Sequence, residues 1–153
     1  MEFWPLIDTV DVELLASDID TEALAAARNG LYGQRSLQYL PKEFVNHYFT
    51  SEPDGQQWRA SEDLRQAVSF SQVNLHELGR MRHMRNLDVI FCRNLLIYFD
   101  DTSRRLAAES LYDALNPGGF LMLGHSESMS RISSLFTVRR FKDAIVYQKP
   151  LTV

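Results

Sequence analysis

The chain has little of what marks several large classes of protein. Its single cysteine, Cys92, has no partner for an internal disulfide bond, which favours a reducing compartment. No apolar run approaches the roughly 20 residues of a membrane-spanning helix. The first ten residues carry two acidic residues, no basic ones and no signal-peptide pattern. The sequence therefore predicts a soluble, cytoplasmic protein with no membrane insertion.

Basic patches and metal-ligand patterns are also absent. The formal charge is -4 and the pI is about 5.5, whereas a protein that binds phosphate backbones needs a basic surface. Nucleic acid is therefore not an expected partner. His47, His76 and His83 lack the mutual spacing of zinc ligands, so no metal site is predicted.

The chain does contain an alternation of apolar segments and helical patterns. With 153 residues, 45% of them hydrophobic, it has the size of one domain with one core. Helices are predicted at 21–28 and 101–115, strands at 12–16, 67–73, 88–92 and 120–123, and a closing hairpin at 136–141 and 144–148. The run 88–92 is apolar on both faces, which predicts a buried strand inside a parallel sheet. Strands that alternate with helices predict an α/β fold, a mostly parallel sheet with an antiparallel edge. Residues 31–72 contain an excursion from this pattern, with an amphipathic piece at 41–48 and the loop SEPDGQQW.

The two main helices carry recognisable ends. Asp20 or Thr21 is placed to cap the first helix, and Gly30 suits the left-handed residue after its last turn. The second helix is predicted to bury an apolar side and to end at NPGG. That apolar side consists of Leu106, Leu111, Leu115 and neighbouring alanines.

Polar residues follow three of the predicted strands. Asp18 follows one, Arg93 and Asn94 interrupt the apolar run DVIFCRNLLIYFD, and residues 125–127 follow a third. The carboxyl ends of parallel strands are where such sheets bind ligands. The three polar clusters are therefore expected to share one edge of the sheet.

Asp18 has three interpretations. An acid at the end of the second strand of a nucleotide-binding unit accepts hydrogen bonds from ribose hydroxyls. Alternatively, Asp18 and Asp20 are turn and cap residues, or together they bind a hard cation, for which ASDID supplies few oxygen ligands. The ribose interpretation requires a glycine-rich turn about 20 residues upstream, but Gly30 is the first glycine. Either that interpretation is wrong or the chain starts inside a larger domain.

Arg93 and Tyr98 each have two interpretations. Arg93 pairs structurally with Asp100 or Asp101, or its planar donor fork holds a ligand carboxylate. Tyr98 fills the core with its hydroxyl at the surface, or it forms one wall of a site. Cys92 lies inside a predicted strand and is interpreted as a small buried hydrophobe.

The segment GHSES is similar to the nucleophile elbow of serine hydrolases. Its last position is serine rather than glycine, and no Asp and then His follow in the order that the hydrolase fold uses. A serine hydrolase is therefore not favoured.

Four segments taken together resemble one family closely. They are ASDIDTEALAAARNGLY, SFSQVNL, LDVIFCRNLLIYFD and GGFLMLGHSESM, within residues 12–149. They resemble the CheR family of chemotaxis protein methyltransferases, which use S-adenosylmethionine to methyl-esterify glutamates on chemoreceptors and release S-adenosylhomocysteine. The resemblance implies a Rossmann-like methyltransferase sheet, with residues 32–72 as a small inserted β-subdomain that docks a receptor tail in some members.

The resemblance also implies roles for five residues. Asp18 matches the family position that holds the cofactor ribose, and Asn74 and Leu75 match positions beside the adenine. Arg93 and Tyr98 match positions that line the methyl-transfer site.

The chain departs from the family before ASDID. A helical domain, an N-L-T-x-F-F-R-like segment and a glycine-containing S-T-G-E-E-like turn do not occur there. We therefore expect an N-terminally truncated sheet whose apolar edges need cover from residues 4–10 or from another chain, as in a homo-oligomer. We also expect the chain on its own to be inactive, and the alternative function is a non-catalytic CheR-like remnant that acts as a protein-interaction module.

Overall fold

The computed structural model describes residues 9–75 and 84–151. Contacts between Cα atoms divide the chain into two compact units, Met1–Val73 and Asn74–Val153. Within the described ranges, no helix combines the length and the apolar character needed to cross a membrane.

The first unit begins with the predicted strand, turn and helix. Strand β1 is Leu14–Asp18, helix α1 is Thr21–Asn29, and β1 pairs in parallel with β5, Val68–Gln72. The Asp20 side chain caps α1 by accepting from the N–H groups of its first turn, and Gly30 ends the helix in the left-handed conformation with a φ of 66°. The predicted turn, cap and helix end are therefore confirmed.

Between α1 and β5 lies a small antiparallel sheet. Its strands are β2 (Leu31–Gly33), β3 (Phe49–Ser51) and β4 (Gln57–Ala60), in the order β2-β4-β3. The helices of this region are α2 (Gln34–Leu37), α3 (Lys42–Tyr48) and α4 (Glu62–Gln66). The predicted loop SEPDGQQW turns from β3 to β4. There the Asp54 carboxylate accepts from the N–H of Gln56 at 2.9 Å, and Gly55 takes a φ of 66°.

The second unit contains a mixed sheet and one long helix. Strands β6 (Leu87–Cys92) and β7 (Leu115–Leu123) are parallel, and β9 (Ile145–Gln148) and β8 (Thr137–Arg140) continue the sheet antiparallel in the order β6-β7-β9-β8. The predicted parallel pair, antiparallel edge and closing hairpin are confirmed. Helix α5, Asp101–Ala114, connects β6 to β7.

Two expectations for α5 are wrong. Leu111 and Leu115 are buried, but Leu106 is 36% exposed, because the buried face follows the helical period through Ala107, Ala108, Ser110, Leu111 and Ala114. NPGG does not close the helix. The helix ends at Ala114 and NPGG lies inside β7, where the N–H of Gly118 donates to the carbonyl of Lys149 at 2.9 Å.

Strand β6 is less buried than its apolar sequence predicts. Val89 is 45% exposed and Phe91 is 70% exposed, whereas Cys92 is buried. The physical reason is that β6 is the outer strand of its sheet and, within the described residues, hydrogen-bonds to β7 alone.

Gly30 and Gly55 provide a matched pair of substitutions. Both residues have a φ of 66°, but a Cβ on Gly30 would lie 2.5 Å from Cδ of Arg65, whereas a Cβ on Gly55 would meet nothing within 4 Å. Left-handed alanine costs about 1 to 2 kcal/mol, and overpacking typically adds about 1 to 3 kcal/mol. We expect Gly30→Ala to lower the free energy of unfolding by at least about 1 kcal/mol more than Gly55→Ala in urea denaturation. Equal losses would show that Arg65 moves away without cost.

Candidate functional site

The carboxyl ends of β6 and β7 lie side by side. Cys92, the last residue of β6, pairs with Leu123, the last residue of β7. The two polar clusters that follow, Arg93 with Asn94 and residues 125–127, therefore leave the same edge of this sheet. This part of the predicted arrangement is confirmed.

The Glu127 carboxylate connects the two strand ends. Its Oε2 accepts from the N–H groups of Asn94 at 2.8 Å and Gly124 at 2.9 Å, and its Oε1 accepts from those of Leu95 at 3.1 Å and Leu96 at 2.9 Å. Hydrogen bonds to an ionised acceptor are stronger than those between neutral groups. One side chain thus holds the start of the loop after β6 against the end of β7.

The backbone around this carboxylate is shaped to receive it. Asn94 takes a φ of 57°, a left-handed conformation that asparagine tolerates better than most residues. A Cβ on the buried Gly124 would contact Asn94 Oδ1 and would lie 2.8 Å from Glu127 Oε2. Position 124 therefore leaves room only for glycine while Glu127 keeps these bonds.

Arg93 does not form the structural ion pair considered from the sequence. Asp101 pairs with Arg104, at 2.9 Å from Oδ1 to Nη1, and Asp100 Oδ1 accepts from the N–H of Ser103 at 2.7 Å as the cap of α5. Arg93 is exposed and has no hydrogen bond or ion pair within the described parts of the chain. Its guanidinium donors are available to a ligand.

Tyr98 is not a core residue. It ends the short 3₁₀ helix Leu96–Tyr98 and is 79% exposed, whereas Leu96 in the same turn is 1% exposed. The loop therefore anchors itself through Leu96 and presents the Tyr98 ring to solvent. That placement agrees with the wall of a site rather than with core packing.

In the first unit, Asp18 ends β1 and is exposed. Its Oδ1 accepts from the N–H of Asp20 at 3.0 Å, and Oδ2 makes no hydrogen bond with any residue that the structure describes. Asp20 accepts from the N–H of Glu22 at 2.8 Å. Asp20 is thus the cap, while Asp18 contributes one oxygen to the turn and leaves the other free.

Strand β5 ends at Gln72. Asn74 and Leu75 follow it in the chain, after Val73. Both side chains are half-buried. The adenine role predicted for Asn74 and Leu75 stays a prediction.

The hydrolase and zinc alternatives gain no support. Ser126 Oγ lies 3.4 Å from His125 Nε2, but the nearby carboxylate of Glu127 is committed to backbone N–H groups. His47 lies in α3, whereas His76 and His83 are outside the described residues. Within residues 9–75 and 84–151, no three His, Cys, Asp or Glu side chains are grouped so that they could hold a metal ion.

Sequence reasoning missed the roles of Glu127 and Arg104. Arg104 Nε donates to the carbonyl of Leu96 at 3.0 Å, and its Nη2 donates to that of Phe99 at 2.6 Å. Both side chains thus hold the backbone of the loop. The sequence signals for these contacts were Asn94 after β6 and Gly124 after β7. Asparagine and glycine are too common after strands to indicate that a glutamate binds the backbone there.

Three comparisons bear on the identity of the chain. The family described as "CheR methyltransferase, SAM binding domain" matches residues 2–145. "Chemotaxis protein methyltransferase 2" of Vibrio cholerae is 52% identical over 150 residues, which cover 98% of this chain and 52% of the relative. "Chemotaxis protein methyltransferase 2" of Pseudomonas aeruginosa is 38% identical over 126 residues, 81% of this chain and 45% of the relative. The chain spans about half the length of these curated relatives.

A solved structure supports the fold. N-methyltransferase NodS from Bradyrhizobium japonicum, in complex with S-adenosyl-L-homocysteine, superposes with a TM-score of 0.55 at 14% identity, over 90% of this chain and 67% of NodS. The chain therefore has the α/β, Rossmann-like fold of S-adenosylmethionine-dependent methyltransferases. Within that class it belongs to the CheR methyltransferase family, as the match over residues 2–145 shows.

Cys92 provides a test of the environment beneath this edge. The thiol is 6% exposed, and burial, with a smaller contribution from the Glu127 charge, raises its pKa from 9.0 to about 12. The unfolded chain therefore releases this proton at a lower pH than the folded chain, so the thiol weakens the fold as the pH rises above 9.

We expect the difference in unfolding free energy between the wild type and Cys92→Ala to stay constant below pH 9. Above that pH the wild type should lose about 1.4 kcal/mol per pH unit relative to the variant. Chemical denaturation of both proteins between pH 7 and pH 11 measures this. A constant difference across the whole range would show that the thiol ionises freely in the fold.

Proposed function

We propose that this chain is the cofactor-binding part of a chemotaxis protein methyltransferase that methyl-esterifies glutamate side chains of chemoreceptors. The observation that supports this most directly is the match to the family's SAM-binding domain across residues 2–145. It is joined by an exposed arginine after the carboxyl end of β6, Arg93, whose side chain has no partner among the described residues. The named relatives are chemotaxis protein methyltransferases.

The residue proposed to bind the cofactor ribose is Asp18. The exposed carboxylate keeps Oδ2 free of hydrogen bonds within the described residues, and a free carboxylate oxygen is the acceptor that a ribose hydroxyl needs. The turn bond to Asp20 holds the other oxygen. The chemistry of this group thus fits the ribose of S-adenosylmethionine.

Asn74 and Leu75 are proposed to lie beside the adenine. A half-buried leucine offers an apolar surface to a planar base, and Asn74 matches the family position beside it. Their half-buried placement supports this role.

Arg93 and Tyr98 are proposed to form the methyl-transfer site. The Arg93 guanidinium has a planar donor fork that matches a glutamate carboxylate, and Arg93 has no competing partner within the described residues. The exposed ring of Tyr98 shapes the space next to the acceptor. S-adenosylmethionine, when bound, supplies an electrophilic methyl group on a sulfonium.

The chain need not supply a strong general base. A glutamate has a pKa of about 4.3 and is already ionised at pH 7. The work of the chain is therefore to orient the carboxylate and to exclude water, so that the nucleophilic oxygen lies roughly 3 to 3.5 Å from the methyl carbon and in line with the bond that breaks.

The region 32–72 is proposed as the inserted β-subdomain of the family. The antiparallel sheet β2-β4-β3 supports an insertion here, since it is a separate sheet between α1 and β5. Residues 68–72 of the proposed region form β5, which pairs with β1.

The ribose role is tested by calorimetric titration with S-adenosylhomocysteine. Asp18→Asn removes one charge but retains an oxygen for the turn, and we expect it to weaken binding at least about tenfold, as for loss of a charged hydrogen bond. Asp20→Asn is the matched control, because asparagine also caps helices, and it should change affinity less than about twofold. Equal effects of both variants would exclude a specific role for Asp18.

The same titration tests the alternative function. A folded wild type that binds no S-adenosylhomocysteine at millimolar concentration would overturn cofactor binding by this chain and favour the interaction module. Light scattering in the same buffer reports whether the binding species is a monomer or a homo-oligomer.

The catalytic role of Arg93 is tested by methyl transfer from labelled S-adenosylmethionine to a chemoreceptor cytoplasmic domain. We expect Arg93→Met to lower kcat at least about tenfold, since a misoriented nucleophile costs that much or more, without a change in the unfolding midpoint. Arg105→Met removes another exposed arginine from the same unit and should leave kcat unchanged. Undiminished turnover of Arg93→Met would rule out the role.

A further inference from the structure

The loop between β6 and α5 is held by charged side chains as well as by the backbone hydrogen bonds of its own 3₁₀ turn. Over residues 94–96, three consecutive N–H groups donate to the Glu127 carboxylate. The carbonyls of Leu96 and Phe99 accept from the Arg104 guanidinium. The anionic Glu127 thus accepts hydrogen bonds from N–H groups of the loop, and the cationic Arg104 donates hydrogen bonds to its carbonyls.

Glu127 and Arg104 both hydrogen-bond to the backbone of Leu96. Its N–H donates to Glu127 Oε1 at 2.9 Å, its carbonyl accepts from Arg104 Nε at 3.0 Å, and its side chain is 1% exposed. Both polar groups of this peptide backbone are therefore satisfied where water is scarce. Moving Leu96 would break charged hydrogen bonds and expose a core side chain together.

The two charged residues come from different elements of the second unit. Glu127 follows β7, and Arg104 lies in the first turns of α5, where it also pairs with Asp101. The loop is therefore connected to the sheet on one side and to the helix on the other. We refer to Glu127 and Arg104 together as the loop clamp.

Arg93 and Tyr98 lie at the two ends of the clamped segment. Tyr98 is 79% exposed, and the Arg93 side chain has no hydrogen bond or ion pair to any described residue. Since no described residue holds the Arg93 side chain, the position from which it extends is set by the backbone that carries it. That backbone conformation, including the left-handed Asn94, is the one that the loop clamp stabilises.

We infer that Glu127 and Arg104 are positioning residues for methyl transfer, which fix the loop so that Arg93 and Tyr98 meet the acceptor carboxylate in a productive arrangement. This role rests on the proposed function. Neither residue needs to touch substrate or cofactor. Their contribution is to pre-organise the loop, which lowers the cost of orienting the reacting groups.

The first measurement is amide hydrogen exchange of the 153-residue chain. Glu127→Gln keeps the size of the side chain but turns an NH₂ group toward backbone donors, and Arg104→Met keeps most of the stem but removes every donor. We expect exchange of the amides at 94–96 to accelerate at least about tenfold in Glu127→Gln, as for loss of a charged hydrogen bond. Arg104→Met should accelerate the same amides.

Lys149→Met is the matched control. Lys149 Nζ donates to two backbone carbonyls in the same unit, those of Tyr112 and Leu115, both at 2.8 Å. Like Arg104→Met, this variant loses two hydrogen bonds from a cationic side chain to backbone carbonyls. It also loses a cation–π contact with Tyr112 where Arg104→Met loses the ion pair with Asp101, and it does not touch the loop. It should leave exchange at 94–96 unchanged.

Methyl transfer to a chemoreceptor cytoplasmic domain then separates positioning from general destabilisation. We expect Arg104→Met to lower kcat at least about tenfold while KM for S-adenosylmethionine changes less than about twofold. Lys149→Met should retain the kcat of the wild type even if its unfolding midpoint falls as far as that of Arg104→Met. If Glu127→Gln does not fold, Arg104→Met alone decides.

Three outcomes overturn the inference, and they are distinguishable. Unchanged exchange at 94–96 in both variants shows that the clamp does not hold the loop. A wild type that turns over, with an equal loss of kcat in Arg104→Met and Lys149→Met or in neither, shows that the clamp has no special role in catalysis. A folded wild type that binds no S-adenosylhomocysteine removes the proposed function, and the positioning role with it.

Discussion

The second unit depends on a single carboxylate, that of Glu127, surrounded by the N–H groups of residues 94–96 and 124. An ionised side chain is stable in such a place only when its oxygens are fully hydrogen-bonded. The neighbouring structure reflects this requirement. Asn94 is left-handed, and Gly124 has no space for a side chain.

Identical residue types divide into structural and available groups in this protein. Arg104 is paired with Asp101 and with loop carbonyls, whereas Arg93 is exposed and unpaired within the described residues. Asp20 gives its carboxylate to the helix cap, whereas Asp18 keeps one oxygen free of described partners. The groups proposed to bind cofactor or substrate are those that make few or no side-chain hydrogen bonds within the described residues. Their neighbours of the same type supply the stability that keeps them in place.

Much of the architecture was predictable from local pattern. The end signals of α1, the parallel pairing of β6 with β7 and the final hairpin agree with the structure, because capping chemistry and hydrophobic period act over a few residues. The burial of Leu106, Val89 and Phe91 was predicted wrongly. Burial depends on whether another element packs against a given face. The apolar character of a residue does not indicate whether such an element is present.

The sequence by itself determined the family, the order of most elements and the identity of the residues at the strand ends, because these properties are carried by contiguous motifs. The tertiary structure alone decided the partners. Glu127 lies 33 positions from Asn94, and no local pattern links a glutamate in one loop to amides in another. That contact exists because two parallel strands end side by side, and this proximity is created by the sheet.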